Sequence, residues 1–189
     1  MPTIEIFGAI ISLLYLRLEY KANKWLWPVG VITPLMYIYI FYASKIYAMM
    51  GINVYYLFAS IYGWYCWRSD ADCKSTPTGE SGFKIVRLPL HLIWKLCSIF
   101  AGLFAVIAWI LVRYTDNPIP YGDALTTALS MVAMWMLAFK FAEQWLVWLV
   151  VNVISAGLFF WLSLYPTSIL FLIYAVVSVF GYLKWRKLS

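Results

Sequence analysis

The chain has 189 residues, 65% of them hydrophobic, 20% aromatic and only 12% charged, whereas soluble domains run at about 45–50% apolar and about 25% charged. With a mean hydropathy of +0.81 the outside of the folded chain must be apolar too, which excludes a soluble globular domain and points to an all-α membrane protein. The net charge of +6 does not signal nucleic acid, because the Lys and Arg residues sit at the ends of apolar runs and no soluble domain exists to present them.

Seven apolar runs are each long enough to cross about 30 Å of hydrocarbon at 1.5 Å per residue: 4–20, 25–43, 46–68, 89–113, 123–140, 145–163 and 165–185. Polar residues 19–24 close the first, and Ser44 and Lys45 divide the second from the third. Residues 68–88 form the one long loop, rich in Ser, Thr, Gly, Asp and Lys. Asp116, Pro118 and Pro120 precede the fifth run, and the last two meet near Pro166. Twelve of the fourteen Lys and Arg residues fall on the side of the first loop and the C-terminus, leaving Lys45 and Arg113 opposite. The side richer in Lys and Arg is cytoplasmic, so the N-terminus is expected outside and the C-terminus inside. The first run lacks a basic start and a small-residue cleavage site, so no cleaved leader is expected. Cys66, Cys73 and Cys97 make no CxxC pair and His91 stands alone, which supports neither a disulfide framework nor a metal site, and no cofactor is expected.

Sliding the chain on itself by 118 positions sets Trp27 on Trp145, Tyr56 on Tyr174, Ser60 on Ser178, Gly63 on Gly181, Trp67 on Trp185 and Arg68 on Arg186. Ser12 falls on Ser130 and Glu5 on Asp123, with no gap needed. Matches of Trp, Gly and Arg in register indicate a duplicated unit. Two three-helix units joined by one helix point the same way, a 3+1+3 parallel-repeat plan. The divisions are 1–68, a loop and linker helix at 69–122, and 123–189. Parallel repeats about an axis along the membrane normal are a transporter architecture, with the substrate bound between the halves near mid-depth.

The second unit carries QWLVWLVVNVISAG at 144–157. Asn152 lies roughly 10 Å inside its helix, where an amide needs partners; it either bonds a neighbouring helix or meets a ligand. Trp148 is one turn earlier on the same face. In register, Trp148 stands against Gly30 and Asn152 against Pro34, so a ring on one half opposes a gap on the other, which makes a slot. Trp145, at the helix end with a twin at Trp27, is either a site residue or part of the frame. Asn53 is the amide of the third helix. Tyr56 and Tyr174, with Ser60 and Ser178 one turn on, line the faces between the halves or pack there.

With this helix plan, the endings GWYCWR and GYLKWR, and the stretches NVYYLFASIYGWYCW and TALSMVAMWMLAFKFAEQWLVWLVVNVIS, the chain resembles the Pnu-type vitamin transporters over essentially its whole length. The resemblance implies a bacterial inner-membrane uniporter that works by facilitated diffusion. It implies a homotrimer, and a cytoplasmic kinase that traps the vitamin by phosphorylation. It also favours ligand contact for Trp148 and Asn152. Thiamine and nicotinamide riboside, both carried by such proteins, are flat permanent cations that Trp and Tyr faces attract. Family members that take nicotinamide riboside often have Gln where this chain has Asn53, and LEYKANKWLW resembles the thiamine branch. Thiamine is therefore the first expectation and nicotinamide riboside the second. An intramembrane enzyme would need paired acids or a metal set, and Asp123 and His91 supply neither. A membrane scaffold, the remaining alternative, needs no duplicated unit with an amide at mid-depth.

Overall fold

The computed structural model describes residues 11, 14–43, 47–69, 85–116 and 118–188. Glu5, Ser12, Lys45 and most of the long loop lie outside the described residues. Among those described the chain is helical nearly throughout. A helical stretch at 14–20 (α1) is followed by α2 (Leu26–Ala43), α3 (Tyr47–Ser69), α4 (Leu90–Tyr114), α5 (Pro120–Ala138), α6 (Gln144–Trp161) and α7 (Tyr165–Arg186). Every described end falls within three residues of the run expected from the sequence. The largest shift is at α5, which begins earlier because Pro120 occupies the first turn, where its missing N–H costs nothing. By length and composition α4, α6 and α7 are apolar enough to cross a membrane. Large apolar side chains such as Trp94, Trp109, Ile173 and Phe180 face outward, as suits a lipid environment rather than water.

Three helices end in the same way. Ala22, Lys140 and Ser163 adopt left-handed φ values of 52°, 61° and 61°. At each, the left-handed residue donates its N–H back three positions and its successor donates back five. The pairs are Ala22 to Glu19 and Asn23 to Leu18, Lys140 to Leu137 and Phe141 to Met136, and Ser163 to Phe160 and Leu164 to Phe159, all at 2.9–3.0 Å. This Schellman arrangement satisfies carbonyls that a helix end would otherwise leave open. Ala22 and Lys140 are 118 positions apart, so one sharp turn recurs in both halves of the chain.

The chain divides into two compact units, Met1–Phe83 and Lys84–Ser189. In the first, α2 packs on α3. The Trp27 ring meets Trp67 edge-on at 5.6 Å and 80° and lies directly over Gly63, where a Cβ would overlap it. In the second, α6 packs on α7. Trp145 meets Trp185 at 5.9 Å and 81° and covers Gly181 in the same way. Each glycine lets a buried indole approach the backbone, and each set is made of residues matched by the 118-position shift.

The second unit also holds α4 and α5, which pack together. A short clasp ties the start of α4 to the turn between α5 and α6. Val86 donates to Lys140 O and accepts from Ala142 N, both at 3.1 Å, as a single parallel bridge. Glu143 accepts the Leu88 N–H at 2.9 Å.

Candidate binding site

On α6, Trp148 and Asn152 stand one turn apart and share a face. Asn152 is buried, and its Nδ2 donates to Ser178 Oγ on α7 at 3.3 Å. Ser178 Oγ in turn donates to Tyr174 O at 2.8 Å. A hydroxyl has one proton, and this one is spent on the Tyr174 carbonyl, so toward Asn152 the serine can only accept. That settles the orientation of the amide: Nδ2 points to α7, and Oδ1 turns away with no hydrogen bond among the described residues. Trp148 is half-buried. Its indole N–H is shielded from water and has no partner among the described residues. One face of α6 therefore carries an unmet donor and an unmet acceptor a turn apart.

The first unit explains why its own serine does something else. Proline has no N–H, so Pro34, the register mate of Asn152, leaves the carbonyl four residues earlier without its helical donor. That carbonyl belongs to Gly30, and Ser60 Oγ donates to it at 3.2 Å. Asn152 has the N–H that Pro34 lacks, which releases Ser178 to hold the amide. The twin serines, both buried, thus perform different tasks because of one exchange on the neighbouring helix.

The open space expected at Gly30 is filled. A Cβ built there would lie 2.9 Å from Tyr15 Cε2 and 3.3 Å from Ser60 Oγ, so the Tyr15 ring lies over the glycine. Tyr15 was missed in the sequence, although the same shift by 118 sets it against Ala133. The clasp through Glu143 had no signal in the sequence.

The other candidates fall as follows. Asn53, Tyr56 and Ser60 are spaced to share a face of α3, the first two half-buried. The Tyr56 ring meets Tyr55 at 5.7 Å. Tyr174 is half-buried and sets its ring edge against Phe171 at 6.1 Å. Trp145, 1% exposed, is sealed against Gly181 and Trp185. The structure thus joins Asn152, Ser178 and Tyr174 into one hydrogen-bonded chain, with Trp148 one turn before Asn152 on α6, and assigns Trp145 to the packing between α6 and α7.

A family model for nicotinamide mononucleotide transporters matches residues 2–187. The chain belongs to that family. It is 27% identical over 206 aligned positions to the nicotinamide riboside transporter PnuC of Escherichia coli (strain K12), spanning 96% of this chain and 84% of that one. It is 24% identical over 186 positions to the riboflavin/roseoflavin transporter RibM of Streptomyces davaonensis, spanning 96% and 83%. A crystal structure of the vitamin B3 transporter PnuC matches with a TM-score of 0.70 at 25% identity, covering 95% of this chain and 79% of that one. The resemblance to Pnu-type transporters read from the sequence is therefore correct. The family is one of transporters, not of enzymes. Together with the outward apolar helices, it makes this a multi-pass protein of the bacterial inner membrane. The first expectation of thiamine gains no support from these relatives, and its alternative, nicotinamide riboside, fits them better.

Proposed function

We propose that the protein carries nicotinamide riboside across the membrane by facilitated diffusion. The observation that carries this is the donor and acceptor pair on α6. A primary carboxamide has one acceptor and one donor side by side, so its oxygen would take the Trp148 N–H while its NH2 would donate to Asn152 Oδ1. Ser178 holds Asn152 in the orientation this requires. The pyridinium ring would lie on an aromatic face, a cation–π contact worth about 0.5–2 kcal/mol. The Trp148 N–H is shielded at rest, so its acceptor arrives as the covering side chains move. An aminopyrimidine edge, as in thiamine, also offers a donor beside an acceptor; the names of the relatives favour the riboside.

All seven helices span, in the 3+1+3 plan with divisions 1–68, 69–122 and 123–189. The matched Trp27–Gly63–Trp67 and Trp145–Gly181–Trp185 sets and the matched turns at Ala22 and Lys140 support this. The N-terminus is outside and the C-terminus in the cytoplasm, where a kinase traps the vitamin. Uncoupled transport accords with the places of the acids within the described helices: Asp123 in the first turn of α5, and Glu19 in the last turn of α1. Three copies assemble, which light scattering would read as three times 21.9 kDa.

The test is uptake into liposomes without an ion gradient, with radiolabelled nicotinamide riboside and thiamine compared. The riboside should equilibrate well ahead of protein-free vesicles, and Trp148→Ala should weaken its binding about 2- to 30-fold. Uptake of thiamine alone would overturn the substrate, and uptake of neither, with no riboside binding, would overturn the transport reading.

A further inference from the structure

We propose that Gln144 is a further specificity-determining residue of the transport site, one that accepts a hydroxyl of the sugar joined to the pyridinium ring. This rests on the transport reading above. Gln144, Trp148 and Asn152 are spaced by four along α6, so they follow one another down one face, a turn apart. Asn152 and Trp148 supply an acceptor and a donor for the carboxamide. Gln144 lies a further ~6 Å toward the helix start at 1.5 Å per residue. That step is comparable with the span of a six-membered ring between its carboxamide and the sugar on its nitrogen.

The matched position in the first unit carries the inference. The shift by 118 sets Gln144 on Leu26. Both are the first residue of their helix, both are 0% exposed, and both precede a sealed tryptophan that covers a glycine. The fold therefore accepts leucine at this place, and neither the helix start nor the packing around Trp145 calls for an amide. Enclosing an amide costs free energy that a leucine would not. Gln144 has interactions with its neighbours, yet its Oε1 is shielded from water and accepts no hydrogen bond among the described residues. A sugar hydroxyl would give that oxygen its donor. Gln144 is enclosed at rest, as the Trp148 N–H is, so the movement that admits the carboxamide must uncover both. The ligand class is accordingly a heteroaromatic cation with a hydroxylated substituent on its ring nitrogen.

Calorimetry on the intact protein tests this with two cations: nicotinamide riboside, and 1-methylnicotinamide, which keeps the ring and carboxamide but has a methyl group for the sugar. Gln144→Leu installs the residue of the first unit. Its affinity for the riboside should fall about 2- to 10-fold, the loss of one hydrogen bond. Its affinity for the methyl compound should stay within about 2-fold of wild type, and its melting temperature should hold or rise. Gln144→Met, apolar and of similar length, should do likewise. Asn152→Ala, by contrast, should weaken both cations, because both carry the carboxamide. Unchanged riboside affinity in both Gln144 variants, or an equal loss for the two cations, would overturn the role of Gln144 alone. Failure of both variants to fold would also overturn it, since the amide would then be a structural bond. No riboside binding by the wild-type protein would overturn it together with the substrate assignment.

Discussion

The exchange of Pro34 for Asn152 makes a prediction about Ser60 that can be worked to a number. Ser60 is fully buried and donates to the one carbonyl, Gly30 O, that Pro34 deprives of a helical donor. Ser60→Ala leaves that oxygen unmet, a penalty of about 1–3 kcal/mol for a buried polar group. For a chain of this size each kcal/mol moves the melting temperature by about 2–4 °C, so a fall of about 2–12 °C is expected in detergent. Pro34→Ala restores the N–H and should make Ser60 dispensable. A double-mutant cycle then gives the answer: Ser60→Ala is costly with Pro34 present and costs under about 0.5 kcal/mol in the Pro34→Ala background. Thermal unfolding followed by intrinsic tryptophan fluorescence measures all four proteins. An equal loss in both backgrounds would refute the reasoning, because the serine would then be stabilising something other than the orphaned carbonyl.

The twin serine should behave otherwise. Ser178→Ala frees the Asn152 amide to turn over, and nicotinamide riboside affinity should fall about 2- to 10-fold through loss of one oriented hydrogen bond, which calorimetry would read; an affinity equal to wild type would show that the amide is held by other means. At the sealed tryptophans, Gly63→Ala and Gly181→Ala each drive a Cβ into an indole and should each cost about 1–3 kcal/mol by overpacking. If only one of the two lowers the melting temperature, the units do not share this lock.

The helices were legible because their ends coincide with charge, proline or a polar turn, and these features act locally. Trp27 and Trp145 were legible as a common frame because a shift by 118 sets them together, and the structure gives both the same neighbours. The role of Ser60 was not legible, since it depends on a missing N–H on another helix. Tyr15 escaped for a related reason. Comparison of matched positions showed a glycine opposite Trp148 and suggested empty space, but volume is shared between helices, and the ring had moved to the preceding one. The left-handed turns at Lys140 and Ser163 also carry no glycine to announce them. The expectation of thiamine rested on Asn53 and on residues 18–27, a choice between similar flat cations that a few side chains decide poorly, and the relatives lend it no support.

The clasp at the start of α4 bears on how the protein is made. Leu88 and its partner Glu143 are 55 positions apart, and Val86 waits for Lys140 and Ala142. As the chain leaves the ribosome, the first unit already possesses Trp27, Gly63, Trp67 and the Ser60 bond to Gly30, so it can close before α4 is complete. The helix α4 must instead enter the bilayer without its seat and wait until the turn after α5 has been synthesised. Its length and apolar surface, which let it reside in lipid alone, are what make that interval tolerable.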